Sequence, residues 1–501
     1  MKKILFIGIL VCMGFHTIAQ NSEVTNREGQ FGKNMITNKE IVGTEFMFSD
    51  RIEHSYIETE SNCITIQLRG LFLGGNLLKN NGDVILYDLS NKKTIWKKSI
   101  NYQNYYLEQN GKFIFKTGLK KTYCLDFENG LDLWKAKNTI AFINPELKIG
   151  IGYTPFISNQ LFYNNINFEG IDLNTGNSIW KRAISHDYGL NDIFMLNDSV
   201  ALIVSSGLHS VNLKTGLGCD YDAVTGISFM QAMKTEIKSN VIIDSMDIYF
   251  ASQEKISKLD INGNLIWSTT LPEDLTSTSN IIISDSTLYM INSGSSQCGY
   301  AILKRGKPFL AAFNSKNGKK LFLNTVDDKS GKIIESVIDK DGLVVLYKNK
   351  IAKCSLKNGT LILEKTFDTG KNGEIVGFIN YNIYNKFDST YKSLVLTDTI
   401  NHYIYTKNKT VLAIDKNLNV VNQYDIDQLY KFYLKYNKLR FLSNKDNSII
   451  IDKDNKIVAR IDIPGKAKRI GSKLYFIREK SIIEIDLNEI TRAEPKTDTK
   501  N

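Results

Sequence analysis

An all-β repeat fold, assembled from four-stranded antiparallel sheets, is what this sequence predicts, and three observations predict it. A short phrase with the character of a β-hairpin recurs along the chain at intervals of 34 to 60 residues. All four tryptophans, Trp96, Trp134, Trp180 and Trp267, fall on one position of that phrase. Long amphipathic helical patterns are absent and Pro occurs only 6 times in 501 residues, which disfavours solenoids that need two helices per repeat.

The phrase reads apolar-Asp-apolar-x-Thr/Asn-Gly, and an aromatic or large apolar residue follows it. From Asp88 it runs to Trp96, from Asp126 to Trp134 and from Asp172 to Trp180, an offset of eight in each case. Apolar residues on both sides of the Asp, as in Val84 to Leu89, suit a strand covered on both faces. Asx and Thr side chains cap the turn, and Gly130, Gly176, Gly216, Gly318 and Gly359 supply the positive φ of a tight hairpin. The strand after the turn carries the Trp, whose ring can fill the gap between neighbouring sheets. Further on the frame decays: Phe322 and Leu363 take the Trp position, Asp260 leads to Trp267 through a loop one residue shorter, and fainter echoes begin at Asp415, Asp452 and Asp486.

Two or more strand-like segments lie between successive phrases, for example Ser199 to Ser205 with Leu208 to Leu213, and Ile333 to Ile338 before Gly342 to Lys348. About four strands per unit of this length is what a β-propeller blade requires. The expected architecture is therefore a propeller of seven to ten blades over residues 41–490, with polar segments at 20–40 and 491–501 expected to be loose. The last unit, Lys473 to Leu487, lacks a fourth strand, which Ile41 to Phe48 can supply; such pairing of the two ends would remove an exposed sheet edge.

A content of 42% hydrophobic residues is enough for a large buried core. Lys2 and Lys3, the apolar run from Ile4 to Gly14 and the small residues near Ala19 read as a secretory signal cut after Ala19, too short to span a bilayer. Cys12 follows Val11 rather than a small residue, so lipidation is not the favoured reading. Removal of the leader leaves five widely spaced cysteines, Cys63, Cys124, Cys219, Cys298 and Cys354, an odd set that reads as buried small hydrophobes rather than a disulfide framework. Net charge is +10, or +8 without Lys2 and Lys3 (10 − 2 = 8), and is spread along the chain; in an exported protein it favours solubility or anionic envelope surfaces, not nucleic acid.

The phrases Ile171 to Lys181, Leu125 to Lys135 and Ala312 to Phe322 resemble the pyrroloquinoline-quinone-type (PQQ-like) repeat of quinoprotein dehydrogenases and of the propeller lipoprotein of the outer-membrane β-barrel assembly machine. The resemblance covers residues 80 to 365 and thins beyond. It implies a ring of seven or eight blades in which each Trp docks on the adjacent blade, whereas this chain offers ten phrases.

For an enzyme of that family, the resemblance implies a quinone stacked on a Trp, a calcium ion, a catalytic carboxylate and a vicinal disulfide. No Cys-Cys pair exists, no ligand set can be matched, and all four Trp are accounted for by the frame, so no cofactor and no catalytic residues are expected. The mature histidines His54, His186, His209 and His402 lack metal-ligand spacing, and Asp452 to Lys456 lacks the glycine and glutamate of a calcium loop. The favoured reading is a scaffold for protein contacts in the cell envelope, with a PQQ-dependent dehydrogenase or an extracytoplasmic sensor as alternatives. Two connections exceed what the repeat needs: Ser293 to Pro308, with Tyr300, Lys304, Arg305 and Lys307, and Asn382 to Lys392, with Tyr384, Phe387 and Tyr391. Aromatic and Arg side chains on such loops are candidate anchors for another envelope protein, the alternative being surface excursions without a partner.

Overall fold

In the computed structural model the described residues are 24–72, 77–118, 121–153, 167–184, 192–205, 207–221, 237, 239–252, 255–272, 279–298, 301–304, 307–326, 331–340, 342–379, 402–427, 429–454 and 456–491. The chain forms two compact units, residues 1–100 with 467–501, and residues 101–466. The sheets are the blades of a β-propeller.

Eight sheets have four antiparallel strands each, in sequence order across the sheet. Blade 1 holds Ile52–Glu58, Cys63–Leu68, Asn81–Asp88 and Lys93–Asn101, and blade 2 holds Tyr105–Asn110, Phe113–Gly118, Lys121–Leu125 and Asp132–Ala136. Blades 3 to 8 repeat the pattern and end on the fourth strands Ser178–Ala183, Asp220–Tyr221, Leu265–Thr270, Lys320–Thr325, Leu361–Thr366 and Val420–Asp425. Blade 9 adds Lys431–Tyr436, Leu439–Ser443, Ser448–Ile451 and Ile457–Ile461. Blade 10 combines Ala467–Ile470, Lys473–Ile477 and Ser481–Asp486 with Glu40–Phe48 from the other end of the chain. Among the described residues eight sheets are four-stranded, within the expected range of seven to ten blades, and the two further four-strand sets belong to one nine-stranded sheet.

Burial follows position in the blade. The second and third strands are buried almost throughout, as in Val200–Ser205 and Gly207–Asn212, because neighbouring sheets cover both faces. The fourth strands of blades 3 and 5 are exposed except at the tryptophan position: Ser178–Ala183 buries only Trp180, and Leu265–Thr270 only Trp267. Blades 3 and 5 therefore contribute two core strands and one nearly solvated edge, whereas the fourth strand of blade 9, Ile457–Ile461, is mostly buried.

The closing strand pairs as the sequence suggests, with Gly43 opposite Ile485 and Met47 opposite Ser481. A Cβ on Gly43 would meet the Glu484 carbonyl oxygen at 2.4 Å, so only glycine allows this approach. Phe46, Phe48, Tyr87, Tyr475 and Ile482 pack in one cluster across blades 10 and 1. The polar segment expected to be loose differs: Val24–Asn34 is an eleven-residue strand paired with Glu40–Phe48. A polar sequence can form this strand because its backbone pairs with the closing strand while only Val24, Gly32 and Asn34 are buried. Arg27 bonds Glu45 at 2.7 Å, and Ser481 donates to the same carboxylate at 2.6 Å. Burial opposes the ionisation of Glu45, but these partners outweigh it and hold the carboxyl below its usual range.

Candidate functional site

The repeat residues meet at the seams between blades. Trp134, Trp180 and Trp267 lie on the fourth strands of blades 2, 3 and 5, and their indole Nε1–H groups donate to Leu173 O (2.8 Å), Leu213 O (2.6 Å) and Ser315 O (3.0 Å) on blades 3, 4 and 6. Each ring also lies on the turn glycine of the following blade. A Cβ added to Gly176 would meet the Trp134 ring at 2.6 Å, one on Gly216 the Trp180 ring at 2.7 Å, and one on Gly318 the Trp267 ring at 2.5 Å. These glycines have φ of +73°, +73° and +69°, so hairpin geometry and ring contact make the same demand. Gly359 stands in the same relation to Phe322, at 2.5 Å. Gly130 shares the positive φ, and Trp96 is 8% exposed beside values of 8 to 9% for the other three tryptophans.

Blade 4 breaks the series. Cys219 takes the place of the ring, with its Cβ 3.1 Å from the position a Cβ on Gly263 would occupy. Its fourth strand is only Asp220–Tyr221. Arg182 of blade 3 reaches across to the Ser210 carbonyl at 2.7 Å and to the Asp220 carboxylate, which also bonds His209 Nδ1 at 2.7 Å. Burial disfavours charge on Asp220, but His209 and Arg182 outweigh it and hold the carboxyl below the usual range. Cys63, Cys124 and Cys354 are buried as expected, whereas Cys219 is exposed, because its small side chain does not reach over the Gly263 turn as an indole ring would.

One inserted element departs from the repeat. Between the second strand of blade 6, Thr287–Asn292, and the third, Phe309–Asn314, the chain forms an extra hairpin, Ser295–Cys298 with Ala301–Lys304. Its base is firm: Asn292 is fully buried, donates to Ser279 Oγ at 2.8 Å and accepts the Gly294 N–H at 3.0 Å. Gly294 has φ +71° and lies against Pro308, where a Cβ would approach Cδ at 2.7 Å. The first long connection thus includes a paired hairpin rather than an unstructured excursion. Tyr300 and Arg305 lie outside the described residues, as do Tyr384 and Phe387 of the second long connection.

Several other buried titratable groups have structural partners. His402, buried on blade 8, lies 3.4 Å from Asp339, and Lys353 is also 3.4 Å from that carboxylate. Burial keeps the His402 imidazole below the usual range, with Asp339 offsetting part of the effect. Burial pushes Glu335 up to about 7, only partly countered by the Phe378 N–H it accepts at 2.7 Å. Asp452 to Lys456 is a hairpin turn whose Asp452 carboxylate accepts the N–H groups of Asp454 and Lys456, both at 2.9 Å. Among the described residues no group of three His, Cys, Asp or Glu side chains is placed to hold a metal ion. No described helix is long and apolar enough to cross a membrane.

No family model matches the chain, and no curated protein does. Solved structures similar to it include BamB from Moraxella catarrhalis, at 14% identity over 71% of this chain and 96% of that one, with a TM-score of 0.34. The computationally designed protein Ika8 is similar at 10% identity over 76% of this chain and 98% of its own, with a TM-score of 0.31. Sqt1 from Saccharomyces cerevisiae is similar at 10% identity over 67% of this chain and 96% of its own, with a TM-score of 0.31.

Proposed function

We propose that the chain is a non-enzymatic scaffold of the cell envelope, built from PQQ-like repeats, which binds another envelope protein through the inserted hairpin of blade 6. The observation that carries the reading is the insertion itself: Ser295–Cys298 and Ala301–Lys304 interrupt an otherwise economical blade and stand on a buried polar base at Asn292. Recognition elements are typically loops or hairpins mounted on a rigid support. The repeat phrases supply the PQQ-like assignment, and the leader-like start at Lys2 and Lys3 supplies the route to the envelope.

The test is a pull-down from envelope extracts with the full chain and with a variant in which residues 295–304 are replaced by a short Gly-Ser link. A partner recovered by the first and lost by the second is the expected result; equal recovery, or none above background, overturns the hairpin assignment. Dye reduction coupled to oxidation of an alcohol or sugar, after reconstitution with PQQ and calcium, would overturn the non-enzymatic reading.

A further inference from the structure

We propose that the outer edge of blades 6, 7 and 8 is a docking surface for an anionic phospholipid layer. Lys316, Lys357 and Lys416 stand exposed on the third-to-fourth-strand turns of these three blades. Five residues after each comes an exposed aliphatic side chain on the fourth strand: Leu321 at 50%, Ile362 at 56% and Val421 at 51%. Leu361 and Val420 widen the apolar strip, and Lys319, Lys320 and Lys365 add exposed positive charge beside it. Acidic groups offset part of this charge: Glu364 is paired with Lys350 at 2.6 Å, and the Asp415 carboxylate, which accepts the N–H groups of Asn417 and Asn419, acts on Lys365, leaving Lys316, Lys357, Lys319 and Lys320 as the main positive positions of the strip.

The two parts of the motif have different origins. An exposed aliphatic residue before the seam position belongs to the repeat, since blades 2, 3 and 5 have Leu133, Ile179 and Ile266 there. At the turn position, however, those blades carry Glu128, Asn174 and Ile261, so strand and hairpin geometry do not require lysine. On blade 9 Lys453 keeps the turn charge, but Val458 is only 4% exposed, which ends the strip.

Lysine interleaved with small aliphatic residues fits a membrane interface, where the stems and aliphatic groups enter the headgroup boundary and the ammonium groups meet phosphate. A protein partner fits less well, because such interfaces are depleted of lysine and rely on Trp, Tyr and Arg anchors, none of which occupies the strip. The inference does not depend on the hairpin of blade 6 binding a protein, and the two fail separately.

The test is co-sedimentation of the full-length protein with vesicles of phosphatidylcholine alone and of phosphatidylcholine mixed with phosphatidylglycerol. Binding is expected only to the anionic vesicles and should weaken with added salt. The triple variant Lys316→Gln, Lys357→Gln, Lys416→Gln should lose on the order of tenfold or more in partitioning. Leu321→Ser with Ile362→Ser should lose several-fold in the same assay. A control of equal net charge, Lys112→Gln, Lys148→Gln, Lys214→Gln on blades 2 to 4, should bind like the parent. Absence of binding to anionic vesicles, an equal loss in the control, or retention of a polyglutamate resin without vesicle binding would overturn the proposal.

Discussion

The seam between blades 3 and 4 and the seam between blades 7 and 8 fill the same position by opposite means. In the first, the outer strand supplies the bulk: Trp180 spans the gap and the turn of blade 4 contributes Gly216, which has no side chain to clash with the ring. In the second, the outer strand supplies only Leu363, and the turn of blade 8 contributes Leu418, 1% exposed and packed in the same cluster. Leu418 sits at φ +61°, a conformation that favours glycine and disfavours a branched side chain. What the seam requires is a filled volume, divided either as ring plus nothing or as two leucines; a close-packed interior is sensitive to the sum rather than to its source.

Removing the bulk tests this most directly. Trp180→Ala should lower stability by about 3–5 kcal/mol in urea unfolding, through lost burial and the unpaired Leu213 carbonyl. Leu363→Ala should cost less, about 2 kcal/mol, because Leu363 is only partly buried; equal losses would break the comparison.

Acidity separates the same two seams. Glu335 lies on blade 7 and accepts the Phe378 N–H of blade 8, and a Cβ on Gly377 would meet its Oε2 at 2.6 Å. Burial raises its folded pKa from the ordinary 4.5 of a glutamate to about 7. The folded state therefore holds this proton more tightly than the unfolded state, so the contribution is fully present below pH 4.5 and is lost as pH rises through about 7. The loss is at most about 3 kcal/mol. Glu335→Gln should abolish that slope in denaturant midpoints measured across the interval, and a slope that persists in the variant would assign it to another group.

Restoring glycine to the turn of blade 8 is a sharper and smaller test. Leu418→Gly relieves about 1–2 kcal/mol of left-handed strain but empties a site worth about 2–5 kcal/mol, leaving a net loss of about 2. A gain in stability would show that the leucine fills nothing of value. The smallest expected effect contrasts two positive-φ glycines. Gly111 has open space around it, so Gly111→Ala should cost about 1 kcal/mol from backbone strain alone. Gly216→Ala adds a Cβ 2.7 Å from the Trp180 ring and should cost measurably more, by thermal melt.

Much of the blade architecture could be read along the chain. The Asp cap, turn glycine and tryptophan lie within nine residues, so the hairpin is set by local chemistry: Asp172 accepts the Asn174 N–H at 2.7 Å, and Gly176 returns its N–H to the Asp172 carbonyl at 2.7 Å. The closing strand at Ile41 to Phe48 was legible because the last unit lacked a partner and this apolar segment lacked a blade. Leu418 escaped notice because a leucine in a turn carries no local signal of positive φ. The strand at Val24–Asn34 escaped for a related reason, since nothing within that polar segment indicates a waiting edge. The candidate hairpin was visible only as surplus length between two strands.

By itself, then, the sequence determined the repeat hairpins, their turns and the tryptophans that face the seams, because turn chemistry and side-chain size act over a few residues. Tertiary structure alone decided how neighbouring blades divide the seam volume, that Cys219 stays exposed where a ring would be covered, and that a polar N-terminal segment becomes a strand. Those outcomes depend on partners the chain brings together from afar, as Ser481 and Glu45 meet across 436 positions, and no pattern local to either one records the other.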